Sequence, residues 1–129
     1  MIDFQNKGTF KLKKDEKYAK MVDGLLIDGE EVIESFKSMR DGVVFTNLRI
    51  IAVNVQGITG AKKDYSSIPY SKINLYSVET TGSWERLKLL GADSELEIYI
   101  SGHGKLRFEF KSDVDIREIS KHITKYIVK

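Results

Sequence analysis

Residues 95–110 read ELEIYISGHGKLRFEF. Leu96, Ile98 and Ile100 alternate with Glu95, Glu97 and Tyr99, and Leu106, Phe108 and Phe110 alternate with Lys105, Arg107 and Glu109. Successive side chains of a strand point to opposite faces, so this pattern buries one face and wets the other, as in an antiparallel sheet. Ser101-Gly102-His103-Gly104 is the turn between the two strands. Directly afterwards the period changes. Val114, Ile116, Ile119, Ile123, Tyr126 and Ile127 follow at largely three- and four-residue steps, while Arg117, Glu118, Lys121 and Lys125 fall off that stripe. This predicts an amphipathic helix over 113–128, with Ser112 or Asp113 as its N-cap. A helix with one apolar stripe must cover something, and the open end of a bent antiparallel barrel is the natural surface.

The chain upstream supplies the rest of such a barrel. From 29 to 112 it reads as short strands separated by turn signals. Val32, Ile33, Phe36 and Met39 change phase within one strand, which predicts a bend or bulge. Arg40-Asp41-Gly42 reads as a tight corner, with Gly42 expected at positive φ. Two apolar runs, Val43-Val44-Phe45 and Ile50-Ile51-Ala52-Val53, flank Thr46-Asn47-Leu48-Arg49. Thr46-Asn47 reads as a second corner. Further strands are expected over 65–69, 73–80 and 85–90. Pro69, the only proline, cannot donate to a ladder and so marks an edge or a break.

Residues 1–28 read as a basic arm followed by a short helix. Asp15 caps that helix, Tyr18, Met21, Val22 and Leu25 lie at helical spacing, and Gly24 ends it. Lys11, Lys13, Lys14 and Lys17 are candidate contacts to an anionic surface; a solvated terminus is the plainer reading. No aromatic ladder accompanies these lysines, which argues against single-stranded nucleic acid. The 129 residues fit one domain, and their net charge is +2. No cysteine is present, which removes disulfides and thiolate chemistry. No apolar signal segment or membrane-length run is visible, so a cytoplasmic protein is expected.

Residue chemistry points away from catalysis. The two histidines, His103 and His122, sit on different elements and lack metal-ligand spacing. SGHGK (101–105) and GITGAKK (57–63) look superficially like phosphate loops. Each runs between strands rather than into a helix N-terminus, so hairpin turns are expected. No Ser or Thr has an evident base and orienting partner. No cofactor or metal is implied. Trp84, beside Gly82-Ser83, reads either as a contact anchor or as a residue closing one barrel end.

Residues 30–82, EEVIESFKSMRDGVVFTNLRIIAVNVQGITGAKKDYSSIPYSKINLYSVETTG, resemble the single-domain bacterial pleckstrin-homology (PH-like) family. The matching motifs are GEEV (29–32), RDG (40–42), FTNLR (45–49), QGITG (56–60), SIPY (67–70), VETTG (78–82), DSELEIYISG (93–102) and FKSDVDIREI (110–119). The resemblance implies a mainly β PH-like superfold of about 7–8 strands: two near-orthogonal antiparallel sheets capped by the C-terminal helix. It also implies a non-enzymatic module that forms a cyclic homo-oligomer, a pentamer, and binds another protein where neighbouring copies meet. Lys37, Arg40, Arg49, Glu79 and Trp84 are the candidate residues of that surface. Arg49 points opposite to Leu48 and Ile50; its partner is Asp41, a glutamate of a neighbouring strand, or another protomer. The alternative function is peripheral binding of anionic lipid through the basic arm. The chain departs from the family pattern at SWERLKLLGA (83–92), which is longer, more basic and more apolar than the acidic stretch usual there.

Overall fold

The computed structural model describes residues 9–39, 41–80, 93–111 and 114–127. In chain order these form β1 (Thr9–Lys14), α1 (Lys17–Met21), a 3-10 turn (Asp23–Leu25), β2 (Val32–Lys37), β3 (Asp41–Thr46) and β4 (Arg49–Gln56). There follow β5 (Lys62–Pro69), a second 3-10 turn (Tyr70–Lys72), β6 (Ile73–Glu79), β7 (Ser94–Ile100), β8 (Gly104–Phe110) and α2 (Ile116–Ile127). The strands make one curled eight-stranded sheet in the order β5-β4-β3-β2-β1-β8-β7-β6. The expected mainly β fold with a closing helix and a short N-terminal helix is what forms.

The alternating hairpin forms as its pattern requires. Leu96 lies opposite Phe108 and Ile98 opposite Leu106, and all four are buried. Gly102 and Gly104 take positive φ (78° and 112°) in the turn between them. Ile116, Ile119 and Ile123 of α2 bury into the same core, each contributing roughly 1.5–3 kcal/mol by apolar area. Phe36, Phe45, Phe108 and Phe110 complete it. Phe36 stands edge-on to both Phe45 (5.9 Å) and Phe110 (5.1 Å), the offset geometry that aromatic quadrupoles favour.

The first strand is a correction. Residues 9–14 are not a free arm: β1 runs parallel to β8 (Thr9 opposite Arg107, Leu12 opposite Phe110) and antiparallel to β2 (Lys13 opposite Lys37, Lys14 opposite Phe36). It joins the two halves of the sheet. Its lysines hide the strand, and Lys13 and Lys14 are exposed. Leu12 is fully buried.

α1 packs on the outside of the sheet, which is why β3 and β4 read as unbroken apolar runs. Val43 and Phe45 face the main core, while Val44, Ile51 and Val53 meet Tyr18 and Val22 on the outer face. Gly42 also differs from expectation. It lies within β3 and is absent from the positive-φ glycines. The Tyr18 ring lies over it and leaves no room for a Cβ. The corner is made instead by Ser38 and Asp41, whose N–H donates to Ser38 Oγ while Ser38 N–H donates to Asp41 C=O (2.7 Å).

Other boundaries shift by a few residues. The N-cap of α1 is Glu16, which makes no side-chain cap bond, rather than the expected Asp15, although Asp15 Oδ1 accepts the Lys17 N–H (2.7 Å). α1 ends at Met21, and Gly24 falls in the 3-10 turn. β2 carries the expected irregularity between Val32 and Glu34. Pro69 ends the outermost strand β5. At the start of α2, Asp115 Oδ1 accepts the Arg117 N–H (3.0 Å). Ser112, Asp113 and the strand expected over 85–90 lie outside the described residues.

Candidate functional site

The Thr46–Arg49 corner ties the turn between β3 and β4 to the loop before β2. Arg49 Nε and Nη2 donate to Glu30 Oε2 and Oε1, both at 2.9 Å. Nη2 also reaches Leu25 C=O (2.9 Å), and Nη1 reaches Ser67 Oγ (2.8 Å). Glu30 further accepts the Thr46 hydroxyl (2.7 Å) and the Ile27 N–H (3.1 Å). Its side chain is 0% exposed. The Arg49 guanidinium, with help from Thr46 and Ile27, holds its carboxyl down at about 2 against the opposing effect of burial. Asn47 closes the other side: its Oδ1 accepts the Glu31 N–H (2.9 Å) and its Nδ2 donates to Gly29 C=O (2.9 Å). GEEV and FTNLR are thus two halves of one polar latch.

The Thr46 carbonyl faces inward and accepts the Tyr70 hydroxyl (2.7 Å), which also contacts His122 Nε2 (2.8 Å). Tyr126 stacks on Tyr70 at 5.5 Å and lies edge-on to His122 at 4.7 Å. Burial raises the Tyr70 pKa well above its ordinary value and lowers that of His122. A tyrosine kept protonated beside a histidine kept neutral is a structural contact between α2 and the corner, not an activated nucleophile. Among the described residues no three His, Asp or Glu side chains are grouped to hold a metal.

The sequence-selected residues are scattered. The Arg49 side chain makes four hydrogen bonds within its own chain, and its ion-pair partner there is Glu30 rather than Asp41. Lys37 is half-exposed, 3.4 Å from Asp15. Glu79 is exposed at the end of β6, opposite Glu95. Arg40 and Trp84 lie outside the described residues, as does the side chain of Lys11. Lys13 and Lys14 are exposed on β1, and Lys17 Nζ stands over the Tyr18 ring at 5.6 Å. Glu30, Tyr70 and His122 were not selected. The signal for the first two was present, since Glu30 belongs to GEEV and Tyr70 to SIPY.

Three surfaces are left open for partners. Among the described residues the sheet does not close on itself, and β5 and β6 each have a strand on one side only. Tyr65 on β5 and Leu75 on β6 are exposed there, Leu75 at 59%. A groove of about 890 Å³ lies between α1, the first 3-10 turn and the start of β2. At another end, Met39 and Ile58 stand fully exposed at two loop tips and line a small hollow with Lys17. Gly57 and Gly60, both at positive φ, shape the turn that carries Ile58.

A family model described as bacterial PH domain matches residues 4–127. The chain belongs to the bacterial PH domain family. Among solved structures this PH domain is similar to a DUF1696 family protein with a pleckstrin-homology domain from Shewanella loihica PV-4. The TM-score is 0.74 and the identity 31%, over 92% of this chain and 98% of that one. It is also similar to a pleckstrin homology domain from Shewanella amazonensis SB2B (TM-score 0.61, 39% identity, 86% of each chain). The uncharacterized protein YjqA of Bacillus subtilis (strain 168) is 44% identical over 99 residues, 75% of this chain and 74% of YjqA. The expected family and fold hold, including across β1, where the motif resemblance was weakest. Among the described residues no helix of this PH domain is long and apolar enough to cross a membrane.

Proposed function

We propose that this PH domain is a non-enzymatic module that assembles into a cyclic homo-oligomer and mediates protein–protein contacts. The observation that carries the reading is the sheet left unclosed among the described residues, whose two end strands, β5 and β6, differ in sequence and character. A ring needs a heterologous contact in which one patch meets a different patch on the next copy. Two unlike sheet edges supply that pair, with Lys62 and Lys63 on β5 and Glu79 on β6 as complementary charges. Five copies are expected from the resemblance of the motifs. Multi-angle light scattering tests this. One discrete mass of several chains supports the ring, and a strict monomer at tens of micromolar removes it.

A second reading has its own observation. Met39 and Ile58, projecting together beside Lys17, suit shallow insertion into an anionic membrane surface. This moves the lipid contact from the arm, which is a strand, to the loop tips. Flotation with phosphatidylserine-containing vesicles tests it: loss of binding in Ile58→Asp supports it, and no salt-sensitive binding by the native chain discards it.

A further inference from the structure

The groove between α1 and β2 exists because β1 leaves the sheet early. β1 meets β2 only at Lys13 and Lys14, followed by one bond from the Asp15 N–H to Ser35 C=O (3.1 Å). The chain then turns into α1, with Asp15 Oδ1 accepting the Lys17 N–H. Val32, Ile33 and Glu34 therefore have β3 on one side and, among the described residues, no strand on the other. Ile33 sits at the register shift of β2, opposite no residue of β3, and is 41% exposed.

We infer that this vacated lane is a docking site for an extended, lysine- or arginine-bearing peptide, which adds to β2 where β1 departs. The inference rests on the protein-contact reading above and names the partner that one surface takes. Backbone pairing along an exposed edge gives a peptide its affinity, and alternate side chains give it specificity. The lane is lined by consecutive residues, Glu30 and Glu31 of the loop before β2 and Val32 to Ser35 of β2 itself, which is how a strand edge rather than a strand face lines a groove. Its far wall is Ala19, Leu26 and the polar side of α1.

Charge selects the peptide. Glu30 and Asp15 are matched by Arg49 and Lys37. That leaves Glu16, Asp23, Glu31 and Glu34 against Lys14 and Lys20 on the lining. A surplus of carboxylates on a chain of net charge +2 is a local feature, and it favours cationic side chains on the wet face of an incoming strand. Burial raises the Glu34 pKa; Lys14 on the lining opposes it, and Glu118 of α2 and Asp115 just before that helix push it further up. The wall is also rigid before any peptide arrives, because Arg49, Thr46 and Asn47 pin Gly29, Glu30 and Glu31. A preformed edge spares the peptide part of the ordering cost.

The test is an amide NMR titration of the full chain with a capped KVKVKVK peptide. A capped EVEVEVE peptide probes charge, and KVKPKVK, which lacks a central donor, probes backbone pairing. The expected result is saturable shifts at Ile33, Glu34 and Ser35 with KVKVKVK. EVEVEVE should give no saturation, KVKPKVK should bind at least about tenfold more weakly, and the exposed double charge reversal Asp23→Lys with Glu31→Lys should lose at least about tenfold in affinity. Shifts confined to β5, β6 or the loop tips, equal binding of all three peptides, or no shifts at millimolar peptide overturn it. Light scattering on the same samples keeps the two readings apart. A monomer whose β2 amides shift sinks the ring and keeps the groove, and a ring whose β2 amides do not shift does the reverse.

Discussion

Arg49 and Glu30 form a side-on bidentate ion pair, with both N–O distances at 2.9 Å, between the first residue of β4 and the loop that leads into β2. The carboxylate is completely covered and the guanidinium is 22% exposed, so neither partner is easily replaced by water. Removing one partner strands the other's charge, which costs far more than a surface pair would. Arg49→Met and Glu30→Leu should each lose roughly 3 kcal/mol of unfolding free energy. Arg49→Lys should lose a large part of that, because an ammonium cannot bridge both oxygens. The double replacement should cost clearly less than the two single losses added together. Urea denaturation measures all four chains, and strict additivity would refute the pairing as the source of the stability.

The same latch gives the domain two acid-sensitive windows. Glu30 has its pKa depressed from 4.5 to about 2, so the unfolded chain takes up that proton first. Stability from the pair is complete above pH 4.5 and is lost as the pH falls toward 2. His122 works in the same direction higher up. Burial beside Tyr70 and Tyr126 lowers its pKa from 6.5, against the Thr46 carbonyl, which raises it, and with help from Lys125. The unfolded chain therefore binds this proton first too, and stability declines as the pH falls through 6.5. Thermal melts should show a lower melting temperature at about pH 5 than at about pH 8. His122→Gln should flatten that part of the profile and leave the loss below 4.5 intact. An unchanged slope in this variant would place the proton elsewhere.

Gly42 is required by a neighbour rather than by its own backbone. The Tyr18 ring occupies the space a side chain would need, and Tyr18 anchors α1 to Val44, Ile51 and Val53. Gly42→Ala must lift that ring, at a cost of about 1–3 kcal/mol for overpacking. Gly42→Ala combined with Tyr18→Leu should recover part of the loss, as read from denaturation midpoints. If Gly42→Ala alone melts like the parent chain, α1 is not seated as described.

Where the sequence was legible, one face of an element was buried and the other wet. β7, β8 and α2 announce themselves through alternation and a helical stripe; Leu96, Ile98, Ile100, Leu106, Phe108, Phe110, Ile116, Ile119 and Ile123 are buried as expected, and Tyr126 and Ile127 are partly buried. β1 is lysine-dense and looks like a solvated terminus until Leu12 is seen buried and the strand paired with β2 and β8. Gly42 carries no signal at all, because the reason for it lies twenty-four residues away in Tyr18. The Arg49 partner was open for the same reason: Glu30 is brought beside it only when β2, β3 and β4 pair. Of the surfaces, the loop tips could be read as turns, whereas the groove arises from where β1 stops pairing, a property of register that no local pattern encodes.

The unlike sheet edges make the assembly testable at single residues. Leu75 is 59% exposed on β6, outside the main core cluster, so a charge there leaves the fold intact. Exposed strand edges are commonly kept apart by such charges, lysine above all. If copies join β6 of one to β5 of the next, Leu75→Lys adds a cation to an edge that faces the net-positive β5 strand and should convert the oligomer to monomer at the same protein concentration. Leu75→Glu should be tolerated better, since its charge is opposite to that of the β5 strand. Both variants should keep the parent's circular dichroism and melt within a degree or two of the monomeric parent chain. Equal masses for Leu75→Lys and Leu75→Glu would mean that the β6 edge takes no part in the contact.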